Sequence, residues 1–108
     1  SMLFGGASEE GISLFEVEPS GAYTGYYATG IGSNKDLVDK FFIEHYDRNM
    51  AIDKGITLGL QSLLSASSED EAKKCNEESL DVAVISRKDM KARYLDTADV
   101  KKFLSKVK

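Results

Sequence analysis

Ile12-Ser13-Leu14-Phe15-Glu16-Val17-Glu18-Pro19-Ser20-Gly21-Ala22-Tyr23-Thr24 is the stretch that decides the fold. Residues Ile12 to Glu18 are β-favouring with partial alternation, which predicts a strand. Pro19-Ser20-Gly21 then reads as a tight turn: proline sets φ at the first central position, and glycine permits φ > 0 two residues later. The chain therefore turns back into a return strand over Ala22–Thr29, where Tyr23, Thr24, Tyr26, Tyr27 and Thr29 suit a pleated surface. Gly30-Ile31-Gly32 ends that strand, and Ser33 or Asn34 caps a helix over Lys35–Tyr46, with Asp36 in its first turn where the helix dipole favours a carboxylate.

Upstream, Leu3-Phe4-Gly5-Gly6 reads as the tail of a strand entering a turn, and Ser1-Met2 as a cloning remnant ahead of an internal start. Downstream, the helix that begins at Lys35 carries an apolar stripe of Leu37, Val38, Phe41, Phe42 and His45. A second helix follows, with Ile52, Ile56, Leu60, Leu63 and Leu64 on one face. Gly55 and Gly59 within it each lower helicity by ~1 kcal/mol, so their spacing is expected to mark a close approach by another element. Ser65–Ser79 reads as a solvated acidic loop able to carry a helical turn; a docking or phosphorylation role at Ser67 or Ser68 is the weaker reading. Leu80–Ser86 and Lys91–Leu95 form a second hairpin, and Thr97 caps a last helix over Ala98–Lys106. The expected order is β-β-α-α-β-β-α, an α+β class.

Composition narrows the function classes. The 108 residues carry 14 Lys plus Arg, 18 Asp plus Glu and a net charge of −4, so no basic footprint for nucleic acid or an anionic membrane is present. The length suits one domain over residues 1–108. The apolar runs are far shorter than the ~18 residues of a membrane-spanning helix. A single cysteine, Cys75, forms no internal disulfide and fits a reducing compartment.

No chemistry assembles from the motifs. His45 lacks the converging ligands that a metal site needs, and acidic neighbours around Cys75 disfavour a thiolate. A triad drawn through Ser20 and His45 has no nucleophile elbow, and a Ser1 nucleophile is explained away by the cloning scar. Gly30-Ile31-Gly32-Ser33-Asn34-Lys35 fails both phosphate-loop patterns, because Lys35 stands where the dinucleotide fingerprint has its third glycine and no Gly-Lys-Ser/Thr is present. Catalytic, cofactor and metal residues are therefore all read as none.

The quoted turns nevertheless resemble a known family. Leu3-Phe4-Gly5-Gly6, Leu14 to Tyr23, Ala28-Thr29-Gly30-Ile31-Gly32-Ser33-Asn34-Lys35-Asp36 and Asp99-Val100-Lys101-Lys102-Phe103-Leu104 are similar to the second half of α-type subunits of the 20S proteasome, archaeal versions above all. Glu18 stands for the family's usual Asp and Gly30 for its usual Ala, the latter read as added flexibility. The resemblance implies part of an N-terminal-nucleophile hydrolase sandwich, two sheets between helix layers. It implies a non-catalytic ring subunit that caps the proteolytic chamber, works with other α and β subunits, needs no cofactor, and resides in the cytoplasm, or also the nucleus of a eukaryote. Pro19, Ser20 and Gly21 carry over as the family's turn and Gly32 as its strand-to-helix junction; the gate and activator-pocket residues belong to the other half. A half-sandwich leaves sheet faces and edges uncovered, so self-association or rearranged packing is expected. The alternative is a stand-alone α+β module that binds protein through Tyr23, Tyr26 and Tyr27.

Overall fold

A computed structural model describes residues 1–108. Strands β1 (Met2–Ser8), β2 (Gly11–Val17) and β3 (Tyr23–Gly25) form an antiparallel sheet in that order, and strands β4 (Ala83–Ile85) and β5 (Ala92–Tyr94) a separate antiparallel ribbon. Helices α1 (Lys35–His45), α2 (Ile52–Ser65), α3 (Glu69–Lys74) and α4 (Thr97–Val107) complete the chain. The α+β class and both hairpins hold. Two elements go beyond the expected order. Leu3–Gly6 belongs to a full seven-residue strand paired along its length with β2, and the acidic loop contains α3. That short helix stands on a capping box: the Ser68 hydroxyl accepts from the Glu71 N–H, and the Glu71 carboxylate accepts from the Ser68 N–H, satisfying two orphan donors reciprocally.

The Pro19 turn is of the three-residue kind. Glu18 O accepts from Gly21 N–H at 2.9 Å and the Glu18 N–H donates to Ala22 O at 2.9 Å, with Gly21 at φ 90°. This is a type I turn closed by a left-handed residue, which only glycine adopts without strain. The return strand ends sooner than expected, at Gly25 rather than Thr29, and Gly32 takes φ 99° at the junction leading to α1. Two expected caps differ. Asn34 precedes α1 in a left-handed conformation without a side-chain cap bond and instead donates from Nδ2 to Ala66 O, linking the start of α1 to the end of α2. At α4 the cap is Asp96, whose carboxylate accepts from the Asp99 N–H, and not Thr97.

Helix α2 packs against both α1 and α4. This double contact explains why its apolar positions do not share one face: Leu58 and Leu60 are buried, whereas Ile52 and Leu63 are exposed. On α1, Val38 is buried while Leu37 and His45 face solvent, so the inner stripe is narrower than its spacing suggests. The core is small. Five hydrophobic residues are buried (Val38, Leu58, Leu60, Val100 and Leu104), and the radius of gyration of 14.2 Å slightly exceeds the ~13 Å of a compact chain of this size.

The glycines divide by cause. A Cβ on Gly30 would meet Val38 Cγ1 at 2.8 Å, so the glycine is needed for close packing of the junction on α1; the added flexibility expected there is not its role. Gly55 and Gly59 show the opposite. A Cβ on either would meet nothing within 4 Å, and the close approach expected from their spacing is absent. Gly59→Ala should therefore raise stability by ~1 kcal/mol through helix propensity and unfolded-state entropy, read as a higher urea midpoint with an unchanged slope; a lower midpoint would show that the position is already covered.

Candidate functional site

Two features stand out from the residues upward. The first is a polar knot where the sheet meets α1. Glu16 is on β2, and its neighbours in the ladder face alternately toward opposite sides, so Glu16 points to the helix side while Phe15 and Val17 point away. Glu16 is only 7% exposed, a charged residue that requires a partner to be buried. That partner is Lys35 in the first turn of α1, whose Nζ lies 3.2 Å from Glu16 Oε1 and 2.8 Å from Asp39 Oδ2, one helical turn on. The same ammonium donates to Thr29 Oγ1 and Gly30 O, each at 2.9 Å. Thr29 in turn donates to Asp39 Oδ1 at 3.0 Å, and the Tyr26 ring lies 5.4 Å from Lys35 Nζ as a cation–π partner.

Burial opposes the charged forms of both groups, yet hydrogen bonds from Lys35 and Thr29 hold the Asp39 carboxyl below the ordinary carboxylate range, and those to Asp39 and Glu16 hold the Lys35 ammonium above the ordinary lysine value. Every partner in the knot is satisfied. It holds no nucleophile beside a free base, and its chemistry is that of a clasp.

The second feature is uncovered apolar surface. Paired residues share a face of the sheet, so the register Met2↔Val17↔Tyr23 and Phe4↔Phe15↔Gly25 puts these side chains on the face turned away from Glu16 and α1. Met2, Phe4, Phe15 and Tyr23 are all exposed there, Phe4 at 53% and Tyr23 at 72%. Phe15 meets Tyr23 edge-on with centroids 6.0 Å apart and covers the bare backbone of Gly25. On the helix side, an open groove of about 750 Å³ runs between α1, α2 and β4, lined among others by Ile31, Val38, Ile56, Leu60, Val82 and Val84, with Gly55 and Gly59 in its wall.

The expected tyrosine surface does not form as one patch. Tyr23 is on the outer sheet face, Tyr26 is at Lys35, and Tyr27 stacks on Tyr46 at 6.1 Å with Arg48 over its ring. His45, at the end of α1, lies 4.4 Å from the Phe41 ring and 3.9 Å from Glu44, a neighbour that helical spacing alone does not bring to its face. Ser20 accepts from the Ala22 N–H within its own turn, and Ser68 is occupied as the cap of α3. No three His, Cys, Asp or Glu side chains converge on a common point, and no helix is long and apolar enough to cross a membrane. Reading of the sequence passed over Glu16, Lys35 and Asp39. The available signal was a lone acid on an apolar strand together with a Lys-x-x-x-Asp pair opening the next helix.

Residues 1–85 match the family model described as "Proteasome subunit". Proteins named proteasome subunit alpha are similar over nearly the whole chain. The one from Methanocaldococcus jannaschii is 32% identical over 107 residues, covering 99% of this chain and 39% of that protein. The one from Pyrococcus abyssi is 33% identical with the same coverage, and that of Methanosarcina mazei is 33% identical with 41% of its length covered. The chain thus spans about two-fifths of the length of these curated relatives. Both the matched domain and the names of these relatives agree, and the chain belongs to the proteasome subunit family, as an α-type member.

Proposed function

We propose that the chain serves as a non-catalytic structural element of a proteasome core particle, within the ring that caps the proteolytic chamber, and that its partners there are other α and β subunits. The similarity to α subunits over 99% of its length carries this reading. Its surface supports it: an apolar sheet face and an open groove are what a subunit shows when the neighbours that bury them are absent. The polar knot supports it as well, since its groups are consumed in holding the sheet to α1 and none is left to activate a nucleophile. Pro19, Ser20, Gly21 and Gly32 act in this reading as the turn and the junction that aim β3 and α1. The cytoplasm is the proposed compartment, with the nucleus added in a eukaryote.

The test is affinity purification of the tagged chain from its own source organism, with mass spectrometry of native complexes. Recovery of proteasome α and β subunits in a particle of core size, with peptidase activity that persists when every hydroxyl and thiol of this chain is left unlabelled by an active-site probe, is the expected result. Recovery of the chain without any proteasome subunit would overturn the proposal.

A further inference from the structure

We infer that the tip of the β4–β5 hairpin is a docking surface for a short acidic segment of a partner protein, held by Arg87, Lys88, Lys91 and Arg93 around the side chain of Met90. Charge is divided unevenly along the chain. Residues 87–108 carry eight Lys and Arg against three Asp, a net +5, which leaves residues 1–86 with six against fifteen, a net −9. Half of those eight cations fall within Arg87–Arg93, and all four are exposed. None of the four enters an ion pair or lies over an aromatic ring. The one acid among them, Asp89, is engaged by the backbone instead: its carboxylate accepts from the Lys91 N–H at 3.0 Å. Unlike the apolar sheet face, this cluster is not covered by an apolar neighbour, because a charge without a partner resists burial. Whatever packs on the tip must bring anions.

The backbone under these cations is fixed in advance. The Met90 N–H donates to Ser86 O at 2.8 Å and the Lys88 N–H to Ser86 Oγ at 3.1 Å, so a partner has less of the loop to order on binding. Met90 closes the turn at φ 56°, in the left-handed region that glycine adopts without strain and other residues do not. A turn that only reversed the chain would be relaxed by glycine at this position. Instead it presents an unbranched thioether, 46% exposed, a side chain that adapts its shape to an apolar group on a partner; strain kept in this way points to function. The anions are those of a short polypeptide, and not of a nucleic acid or an anionic membrane. Extended polyanions reach well past the ~10 Å over which charge is screened at ~0.1 M salt. Across a molecule 38 × 32 × 24 Å in extent they meet the net −9 of residues 1–86, whereas a segment of a few residues meets the tip alone.

This surface does not depend on the role proposed above. The probe is the peptide acetyl-Glu-Leu-Glu-Glu-Leu-Glu-amide, titrated into the isotope-labelled chain and followed by amide chemical shifts. Shifts should concentrate in Ser86–Arg93 and give a Kd on the order of 1 mM or below, weakened at least ~10-fold between about 0.05 and 0.5 M salt. Arg87→Glu combined with Lys91→Glu should abolish binding while leaving the Met90 amide protected from exchange, as evidence that the turn persists. Met90→Gly should raise the thermal midpoint by relieving the turn and yet weaken the peptide at least ~3-fold, a split that a merely structural residue does not produce. Absence of hairpin shifts at about 5 mM peptide, or equal binding to the charge-reversed variant, would overturn the inference. Tighter binding of duplex DNA or phosphatidylserine vesicles at the same salt would overturn the choice of a protein partner. Shifts of the tip and of Glu69–Glu71 that grow with chain concentration alone would replace that partner by a second copy of the chain.

Discussion

Replacing Lys35 with methionine is expected to lower the thermal midpoint by about 10–20 °C, corresponding to ~2–3 kcal/mol in a domain of this size. Methionine keeps the aliphatic stem, so the loss isolates the ammonium. Removing it leaves the Glu16 carboxylate inside the sheet–helix junction without a counter-charge, and strips Thr29 Oγ1 and Gly30 O of a donor. Breaking a fully buried pair costs ~3–5 kcal/mol; the lower figure reflects the side chains of Lys35 and Asp39, which retain 30% and 31% of their exposure, and the screening that comes with it.

The pH dependence has a definite sign. Asp39 is held below its ordinary value, so its contribution is present above the unfolded pKa near ~3.9 and is lost as pH falls through the lower folded value. Lys35 is held above its ordinary value, so its contribution is present below ~10.4 and lost as pH rises through the higher folded value. The wild-type advantage over Lys35→Met should thus be flat between about pH 4 and pH 10 and shrink outside that range. Thermal melts across pH check this. An advantage unchanged down to pH 2 would show that the carboxylates do not depend on the ammonium.

Leu104→Ala is expected to be as damaging, for a different reason. Leu104 is 4% exposed on the face of α4 turned to α2, beside Val100 at 2%, and truncating a buried leucine costs ~2–5 kcal/mol in lost transfer energy and cavity. In a large core that loss is shared. With five buried hydrophobic side chains, it is a sizeable fraction of the total stability, which for natural domains is only ~5–15 kcal/mol. Urea unfolding followed by circular dichroism should show the midpoint falling severalfold further than for Leu63→Ala, whose parent side chain is 48% exposed. Equal effects at the two sites would mean that α4 is not part of the same cooperative unit as α2.

How far the sequence discloses this molecule depends on the range of the interaction. The Pro19-Ser20-Gly21 turn and the helices α1, α2 and α4 are written in residues a few positions apart, and their positions were legible. Helix α3 was legible only as a turn inside a loop, because five charged residues and one alanine carry no apolar period; the Ser68-x-x-Glu71 capping box was the signal that marked it. β1 was visible as a fragment, since Gly5 and Gly6 weaken any strand pattern and its true determinant is Phe4 against Phe15 across the ladder. The polar knot was not legible at all. Lys35 and Glu16 are nineteen residues apart, and Lys35 entered the reading as a helix start, as part of a family-like segment and as the residue that spoiled a phosphate loop, never as a partner for a strand carboxylate.

The contact between Gly30 and Val38 bears on how such chains diverge. Where the family resemblance leads one to expect alanine, this chain has glycine, and an aligned pair of sequences would record the difference as drift at a permissive site. A methyl group at position 30 would stand 2.8 Å from the branched side chain of Val38, whose rotamer is held by the helix. The two positions are therefore coupled: an alanine at position 30 requires the Val38 side chain, or the backbone of the junction that packs on it, to give way.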